Sequence, residues 1–496
     1  MKLGELLSGI KYHVLQNIPE IPDIPDIRVT GISYDSRSIE KGHVFICKGF
    51  NFRKEYIADA ISKGAAAIVL EQVNIPEDPP GGMPFIIVEN ARLALACAAD
   101  NLYGHISAKI AISGITGTKG KTTAVFMMKS VFDAAGVKAG LIGTVGYMSG
   151  GDMLHLDRTT PEAPDLQQLF AKMYEEGCKE IAMEVSSHAL DLNRVSCVRF
   201  DTAAFTNLTR DHMDYHGNFT SYFEAKARLF EMAKTGIVNN DSEYGRKIAK
   251  SAKCAILTYG IDRNADITAE EISYSQDGVS FLLGSPWGAA GINVPIPGRF
   301  TVYNALAAAS ACMNRGISIQ HVADGLKNVR VPGRAEITAE WNGARIMIDY
   351  AHSPDSLENI LTAVREFAAG RVICVVGCGG DRDRTKRPIM AEISGRLANL
   401  TVLTSDNPRS EDPEAIIDEM EAGISGKGHD YIRMADRREA IKYSLLQARN
   451  NDIIVLAGKG HETTQQFSDR TVSFDERLVV REIIKELESG ISSKRQ

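Results

Sequence analysis

The sequence lacks long apolar runs, a surplus of positive charge and a leader-like start. No apolar run in its 496 residues approaches the roughly 18 that a membrane helix needs, so we expect no membrane span. The first residues, MKLGELLSGIKYHVL, have no charged head followed by a long apolar core, which argues against a signal peptide. A formal net charge of -7 argues against a broad nucleic-acid-binding surface.

Cysteine pairs of the C-x-x-C type are absent as well. The eight cysteines are dispersed along the chain, and no two of them form a C-x-x-C motif. Dispersed cysteines in a large chain are typical of buried free thiols in a reducing compartment. We therefore expect free thiols and a cytoplasmic protein.

Alternating strands and helices fill most of the chain. The composition, 44% hydrophobic and 24% charged, is that of a soluble globular protein, and the length exceeds one ordinary core. The character of the sequence changes near residue 107, and the pattern restarts after VRVPGRAE at 329–336. Strands alternating with helices on both sides of that joint predict an α/β fold with parallel sheets.

The stretch SGITGTKGKTTAVF, residues 113–126, follows a predicted strand and opens a predicted helix. Such a glycine-rich turn cradles phosphates with backbone N–H groups and the positive helix end. Lys121 is expected to reach the β and γ phosphates of a nucleotide, and Thr122 to hold Mg²⁺. The strict phosphate-loop spacing fails at Ile115, where a glycine would be needed. The loop alone fits a motor, a switch, a kinase or a ligase.

Polar residues follow two further predicted strands. Glu184, at the start of EVSSHALDLNRV, is either a hard oxygen ligand for a metal or an ordinary surface charge beside a helix cap. His212 and His216 lie close together in TRDHMDYHG, but without a third ligand they are a weak zinc signal.

Lys226 lies on a predicted helix among small and apolar neighbours. Such a lysine usually extends its amine to water. If it is desolvated instead, its pKa falls and the neutral amine can capture CO₂ as a carbamate, which is a carboxylate-like metal ligand. Asn304 is a possible purine contact or a plain polar residue of a helix, and Asp349 and His352 follow a strand end, where α/β sheets bind ligands.

Taken together, the motifs of this chain resemble the Mur ligases of peptidoglycan synthesis. They occur in family order across nearly the whole chain. The motifs are GTKGKTT, TTPEAPDL, EVSSHALDLNRV, TNLTRDHMDYHG, AKARLF, PIPGRFTVYNALAA, VPGRAE, DYAHSPDS, GCGGDRDRTKRP, SDNPRSEDP and AGKGHE.

The resemblance implies a three-domain α/β fold. A small N-terminal α/β domain, residues 1–106, would bind the UDP part of the substrate. A central domain with a phosphate-loop parallel sheet, 107–332, would hold ATP, and a Rossmann-like C-terminal domain, 333–496, would bind the amino acid. Among family members, the chain is most similar to those that add meso-diaminopimelate to UDP-N-acetylmuramoyl-L-alanyl-D-glutamate through an acyl phosphate. We expect a cytoplasmic monomer that acts on these small molecules.

Residue by residue, the resemblance assigns nucleotide and metal contacts. Lys121, Lys226 and His212 would be catalytic. Mg²⁺ would be held by Thr122, Glu184, His212 and Lys226 as its carbamate. The ATP-binding residues would be Gly117, Thr118, Lys119, Gly120, Lys121, Thr122, Thr123, Asn304, Arg334, Asp349 and His352.

The resemblance also assigns the other two substrates. The planar fork of Arg409 would face the distal carboxylate of diaminopimelate, where lysine has only an ammonium. The UDP-substrate residues would be Tyr34, Ser36, Thr159, Thr160, Ser187 and Arg194. The diaminopimelate residues would be Arg382, Asp406, Asn407, Pro408, Arg409, Gly458 and Glu462.

Two positions depart from the family pattern. Lys119 stands where the family commonly has asparagine, which adds a cation to the phosphate loop. GFNF, at 49–52, is expected to supply a second uridine-side contact, and Phe50 stands there where some relatives have polar residues.

Three alternative functions remain at this point. The first is the same ligase using L-lysine, against which Arg409 argues. The second is a folylpolyglutamate-type synthase, against which the DNPR and GKGHE motifs argue. The third is a nucleotide switch or binding module without ligase activity.

Overall fold

The computed structural model describes residues 1–15, 24–49 and 52–494, and Phe50 therefore lies outside the described residues. The chain forms two compact units, each built from several stretches of sequence. The first unit contains Met1–Gly117, Ala135–Leu208 and His212–Thr258, and the second contains Thr118–Ala134, Thr209–Asp211 and Tyr259–Gln496. The fold is α/β, as the alternation of strands and helices predicts.

The first 117 residues contain six strands and three helices in the described part. They are β1 (Tyr12–Val14), β2 (Gly31–Ser33), β3 (His43–Ile46), β4 (Ala67–Glu71), β5 (Phe85–Val88) and β6 (Ala111–Thr116), with α1 (Leu3–Leu6), α2 (Glu55–Ser62) and α3 (Ala91–Leu102).

Six helices and six strands follow up to residue 260. They are α4 (Lys121–Ala134), α5 (Ala163–Glu175), α6 (Ser187–Asp191), α7 (Met213–His216), α8 (Phe219–Ala227) and α9 (Glu243–Ser251), with β7 (Ala139–Gly143), β8 (Gly146–Met148), β9 (Glu180–Glu184), β10 (Phe200–Phe205), β11 (Ala233–Asn239) and β12 (Ala255–Gly260).

The remaining described residues form eleven strands and seven helices. They are β13 (Ile267–Ser275), β14 (Gly278–Ser285), β15 (Gly288–Val294), β16 (Glu336–Trp341), β17 (Ala344–Asp349), β18 (Val372–Val376), β19 (Leu400–Leu403), β20 (Tyr431–Arg433), β21 (Ile453–Ala457), β22 (Thr464–Gln466) and β23 (Thr471–Ser473), with α10 (Arg299–Asn314), α11 (Ile319–Lys327), α12 (Pro354–Phe367), α13 (Lys386–Leu397), α14 (Pro413–Glu421), α15 (Arg437–Gln447) and α16 (Glu476–Lys494).

The first unit contains a small sheet and most of a larger one. The small sheet has the order β1-β5-β4-β3-β2, with β1 antiparallel to its neighbour and the other pairs parallel. In the larger sheet the first unit contributes the order β11-β10-β6-β9-β7-β8, in which only the edge strand β8 is antiparallel.

Strand β6 has neighbours from later in the chain on both of its sides. Apart from the half-buried Ala111, its apolar residues are buried, as are those of β9 and β10 beside it, because a parallel sheet is covered on both faces. Phe170 and Met173 of α5 pack in the same core as Ile181 and Met183 of β9. The carboxyl ends of β6, β9 and β10 therefore lie side by side, at a point where α/β sheets bind ligands.

The second unit contains a Rossmann-like sheet of order β16-β17-β21-β18-β19-β20, parallel except at the edge strand β16. Apolar residues of α15 and α16 pack in one core with β17, β18 and β21. Strands β13, β14 and β15 form an antiparallel meander, which the sequence analysis did not predict. The domain bounds at 106/107 and 332/333 stay predictions.

The cysteines depart in part from the expectation of free thiols. Cys97 on α3 and Cys197, which follows α6, form a disulfide in the first unit, with Cα atoms 5.4 Å apart. The expectation of free thiols is therefore wrong for this pair, because packing joins residues that are 100 positions apart in the sequence. Of the six cysteines outside this disulfide, five are buried and Cys254 is half-buried. None of the helices in the described part combines the length and apolar character that a membrane span needs.

Helix α11 packs closely against α4, the helix that follows the phosphate loop, through a glycine. A Cβ at Gly325 would come within 2.4 Å of the Val131 Cα. We expect Gly325→Ala to destabilise the protein by about 1–3 kcal/mol, because overpacking against backbone outweighs the better helix propensity of alanine. Urea unfolding checks this value.

Gly291→Ala is the matched control, because a Cβ on Gly291 in β15 meets nothing within 4 Å. Equal stability of the two alanine variants would contradict the packing argument.

Candidate active site

The phosphate loop starts where β6 ends. Gly117 has φ of +149°, and a Cβ there would lie 1.9 Å from the Thr206 Oγ1, so only glycine fits at this position. The loop ends at Lys121, the first residue of α4. The side chains of Thr122 and Thr123 are buried in the first turn of that helix.

Lys226 is buried on α8 of the first unit. Its side chain is almost fully enclosed, with 1% of the residue exposed. The Nζ donates a hydrogen bond of 2.8 Å to the Gly117 carbonyl and lies 4.5 Å from the centre of the Tyr222 ring. The interpretation of Lys226 as a lysine that extends to water is therefore wrong, and the desolvated alternative stands.

Glu184 ends β9 and is buried rather than a surface charge. Its carboxylate accepts hydrogen bonds from the Thr144 N–H at 2.8 Å and from the Thr144 hydroxyl at 3.1 Å. The helix cap nearby is made by Ser186, whose Oγ accepts from the Ala189 N–H at 3.1 Å. Glu184 thus lies outside the cap, as a buried carboxylate at the sheet edge.

Three of the four residues predicted to hold the muramoyl-peptide lie around Glu184. The Thr160 hydroxyl donates to the Glu184 carbonyl at 3.0 Å, and Arg194 Nη1 donates to the Thr160 carbonyl at 3.0 Å. The hydroxyls of Thr159 and Thr144 are 3.0 Å apart. These contacts bring three of the four residues to the carboxyl edge of β9.

The fourth, Ser187, joins a cluster of aromatic rings. Its Oγ lies 2.9 Å from His216 Nε2. His188 stacks within this cluster, with ring centres 4.9 Å from His212 and 5.5 Å from His216. Sequence analysis missed His188, although it stands inside the motif EVSSHALDLNRV. Burial, reinforced by His212 and His216, lowers the pKa of His188 to about 4.

His212 has a left-handed backbone, with φ of +53°. A left-handed conformation is uncommon outside glycine and is often found at functional sites. It places the His212 ring edge-on to that of His188.

The predicted uridine-side residues border a cavity in the first unit. Tyr34 and Ser36 both line this cavity of about 570 Å³. The Tyr34 hydroxyl donates to Asp165 at 2.8 Å, and Lys48 Nζ lies 4.1 Å above the Tyr34 ring. The Ser36 carbonyl accepts from Lys63 Nζ at 2.9 Å. Gly49, of the GFNF stretch, also lines the cavity.

In the second unit, two lysines of the phosphate loop make defined contacts. Lys119 Nζ lies 3.1 Å from Asp211 Oδ2 and 3.1 Å from Ser353 Oγ. Lys121 Nζ donates to the Thr118 carbonyl at 2.9 Å. Lys119, the extra cation of this loop, therefore forms an ion pair with the Asp211 carboxylate.

Asn304 is packed against the same loop. It is buried on α10, and a Cβ at Gly120 would lie 2.2 Å from its Oδ1. Gly120 has φ of +86°, so both its conformation and this contact require glycine. The absence of a side chain at Gly120 therefore leaves room for the Asn304 amide.

Asp349, Arg334 and His352 lie at the end of β17. Asp349 Oδ2 accepts from the Ala335 N–H at 2.8 Å, and burial raises the pKa of this carboxyl although Arg334 opposes the shift. The Arg334 guanidinium stacks 4.7 Å from the centre of the Tyr350 ring, and the His352 ring lies 4.5 Å from the same ring. Arg334 and His352 therefore flank the ring of Tyr350, the residue that follows Asp349.

The predicted amino-acid residues gather at the carboxyl ends of β19 and β21. Asn407 Nδ2 donates to Glu462 Oε2 at 2.8 Å. Gly458 has φ of +120°, and a Cβ there would lie 2.9 Å from Asp406 Oδ2. Sequence analysis missed Lys459, whose fully buried Nζ lies 3.3 Å from Glu462 Oε2 and 3.8 Å from Asp406 Oδ1. Lys459 stands in the recognised motif AGKGHE.

Two arginines, Arg409 and Arg382, lie close to Gly379 at the same edge of the sheet. A Cβ on Gly379 would lie 2.9 Å from Arg409 Nη1 and 3.9 Å from the Arg382 Cγ. Arg409 has φ of +53° and donates to the Gly380 carbonyl at 2.8 Å. Arg382 Nη1 donates to the Asp381 carbonyl at 2.9 Å. Pro408, between Asn407 and Arg409, packs its carbonyl against Gly380.

Comparison with known proteins identifies the family. Residues 115–312 match the family described as the Mur ligase middle domain, and residues 333–460 match the Mur ligase, glutamate ligase domain. The UDP-N-acetylmuramoyl-L-alanyl-D-glutamate--2,6-diaminopimelate ligase of Caldanaerobacter subterraneus subsp. tengcongensis is 43% identical over 491 residues, covering 98% of this chain and 100% of that protein. The chain belongs to the Mur ligase family.

Other relatives agree with that assignment. A ligase of the same name from Geobacillus thermodenitrificans is 43% identical to this Mur ligase over 473 residues, 92% of this chain and 95% of that protein. A solved structure with that ligase name superposes with a TM-score of 0.70 at 31% identity, covering 98% of this chain and 99% of the other. The family resemblance read from the motifs is therefore confirmed.

The lowered pKa of His188 predicts acid sensitivity of this Mur ligase. The folded-state pKa, about 4, lies below the ordinary value of 6.5, so the stabilising contribution is present above pH 6.5 and is lost as pH falls toward 4. His188 is only half-buried, so water screens part of the effect, and we expect a loss of about 1 kcal/mol between pH 7 and pH 5. His188→Gln should lose less stability over that interval, which melting temperatures would measure.

His155→Gln, at an exposed histidine of the same unit, is the control and should follow the wild-type profile. An identical acid response of the wild type and His188→Gln would refute the assignment.

Proposed function

We propose that this Mur ligase joins meso-diaminopimelate to UDP-N-acetylmuramoyl-L-alanyl-D-glutamate at the expense of ATP, as a step of peptidoglycan precursor synthesis. The main support is the 43% identity to ligases of that name over 98% of the chain. The cluster of Asp406, Asn407, Arg409 and Glu462 supplies the groups that a diamino diacid needs.

The chemistry requires ATP because a carboxylate and an ammonium do not condense. The D-glutamate γ-carboxylate oxygen attacks the γ-phosphorus, the bond from that phosphorus to the bridging oxygen breaks, and ADP leaves. The neutral amine then attacks the acyl carbon, the bond to the phosphoryl oxygen breaks, and phosphate and a proton leave. Negative charge builds on the phosphoryl oxygens and then on the oxygen of the tetrahedral intermediate, so the site must supply cations and hydrogen-bond donors.

The phosphate loop meets this need at the nucleotide. We assign the phosphates to the amides of the loop and to Lys121, whose flexible stem allows its Nζ to leave the Thr118 carbonyl. Asn304, packed against Gly120, and the group of Arg334, Asp349 and His352 are assigned to the rest of ATP.

Mg²⁺ is proposed as the metal that accompanies ATP. Among the described residues no group of three or more His, Cys, Asp and Glu side chains is arranged to hold a metal by itself. The buried Glu184 carboxylate and the Thr122 hydroxyl are hard oxygen donors, which suit Mg²⁺ completed by nucleotide phosphates. His212 and carbamylated Lys226 are the further ligands that we propose, and a bound metal would screen the repulsion between the two reacting anions.

Carbamylation of Lys226 is supported by its burial. An enclosed ammonium is costly, whereas a neutral amine can add to CO₂, forming an N–C bond and releasing one proton. The product is an anion at the carbonyl of Gly117, beside the start of the phosphate loop.

The location and assembly follow from this chemistry. ATP and soluble precursors are the substrates, so we propose a cytoplasmic location. We propose a monomer, since residues for all three substrates are present in one chain.

Product analysis tests the activity and the amino acid together. The enzyme is incubated with UDP-muramoyl-dipeptide, ATP and equal amounts of diaminopimelate and L-lysine, and the product mass is measured. We expect the diaminopimelate product. With ¹⁸O in the D-glutamate γ-carboxylate, the label should enter inorganic phosphate. A lysine product would replace the amino-acid assignment, and unlabelled phosphate would exclude the acyl phosphate.

Arg409→Ala should lower kcat/KM for diaminopimelate more than about tenfold, because its guanidinium would no longer face the distal carboxylate. Arg384→Ala is the matched control, since this exposed arginine of the neighbouring loop pairs with Glu419. Unchanged kinetics of Arg409→Ala would refute its role.

Lys226→Ala should lower kcat roughly a hundredfold, and a short carboxylic acid such as acetate should restore part of the rate. Rescue separates a missing carboxylate-like group from a structural defect, and the melting temperature reports on folding. Lys234→Ala, at an exposed lysine, serves as control. Full activity of Lys226→Ala would remove the carbamate from the mechanism.

A further inference from the structure

One buried carboxylate in the first unit is surrounded by four cations. Glu162, 3% exposed, precedes α5 in the motif TTPEAPDL. Its oxygens lie 2.7 Å from Lys48 Nζ, 2.8 Å from Arg158 Nη1, 3.1 Å from Arg194 Nε and 3.7 Å from Arg92 Nη1. The four cations come from four separate parts of the sequence.

The cluster has a surplus of positive charge. One carboxylate balances only one of the four cations, and the other three repel each other in a partly buried place. Arg92 Nη1 is buried and has no hydrogen-bond partner among the described residues. The pKa of Glu162 is lowered: burial pushes it up, but Lys48 and the arginines outweigh burial. Such an arrangement is incomplete without a further anion.

The cations with unbalanced charge line a cavity that is already predicted to bind the uridine part of the substrate. Lys48, Arg92 and Arg158 line the cavity of about 570 Å³ that Tyr34 and Ser36 also border. A fourth cation of the lining, Arg37, is already paired with Asp35 at 2.6 Å. The three cations held by Glu162 therefore remain to meet a ligand in the cavity.

We propose that Lys48, Arg92 and Arg158 form an anion subsite for the diphosphate of a uridine diphosphate substrate, and that Glu162 is the positioning residue that holds these cations in place. The inference rests on the proposed function, since it deepens the binding of the UDP substrate.

The chemistry of the cluster fits a diphosphate. A diphosphate ester has two adjacent phosphoryl groups with one negative charge each. Arginine guanidinium groups bind phosphoryl oxygens through paired N–H donors, and Lys48 adds a point charge. Lys48 also lies over the Tyr34 ring. This side chain therefore links the cation cluster to the part of the cavity that is predicted to bind the nucleoside.

The test compares UDP with uridine as probes of the full-length protein, by calorimetry. We expect the wild type to bind UDP more tightly than uridine. Arg92→Gln and the half-exposed Arg158→Gln should each weaken UDP binding about tenfold and leave uridine binding unchanged, and Arg92→Lys should recover part of the loss. Arg28→Gln, at an exposed arginine of the same unit outside the cavity lining, is the matched control for charge, and its affinity for UDP should stay within about twofold of wild type.

The role of Glu162 is tested by a measurement that a purely structural role would not change. Glu162→Gln should reduce the ratio of UDP to uridine affinity and raise the KM for UDP-muramoyl-dipeptide about tenfold, with the KM for ATP unchanged. Glu162→Asp should recover part of the ratio, since it restores the charge.

The outcomes separate this inference from the proposed function. If Arg92→Gln and Arg158→Gln keep the wild-type preference for UDP while ligation proceeds, the subsite is wrong and the ligase assignment stands. If the wild type neither binds UDP more tightly than uridine nor catalyses ligation, both the subsite and the proposed function are overturned. Loss of the preference in the variants, with uridine binding intact, supports the subsite.

Discussion

The hydrogen bond from Lys226 to the Gly117 carbonyl is the contact on which the centre of the first unit depends. It joins α8 to Gly117, the first residue of the phosphate loop. Gly117 can accept it only with a backbone that favours glycine, and the Thr206 hydroxyl leaves no room for a side chain there. A buried lysine, a glycine and a threonine thus fix the direction in which the chain leaves β6. Any chemistry at Lys226 therefore takes place beside the start of the loop.

Features that depend on local sequence could be predicted. The strand before the loop, the helix that begins at Lys121, and the strand ends at Glu184 and Asp349 all follow from periodicity and from the positions of glycines. Because parallel strands end at one edge, residues far apart in sequence could be expected to gather there. The residues that the family resemblance assigns to diaminopimelate lie at such an edge, after β19 and β21, and their role stays a prediction.

Features that depend on packing between distant segments could not be predicted. The burial of Lys226 and Glu184 decided between interpretations that the sequence left open. The Cys97–Cys197 pair and the cations around Glu162 join segments with no shared local pattern. The meander of β13, β14 and β15 was missed although Asp277-Gly278 marks its first turn, since its alternation is irregular at a bulge near Glu270.

Two buried charges, one in each unit, have the same physical role. Glu162 gathers cations, and Lys459 gathers the acids Asp406 and Glu462. In each case the central charge is smaller than the sum around it, so the cluster keeps a surplus: positive around Glu162, negative around Lys459. A preassembled surplus lowers the cost of ordering side chains when a ligand of opposite charge arrives, because the repelling groups are already held together. The sign of each surplus suits the proposed substrate groups: the cations around Glu162 would meet a diphosphate, and the acids around Lys459 would meet an ammonium group of diaminopimelate. Binding of each ligand group would then neutralise the charge that is left unbalanced in the folded protein.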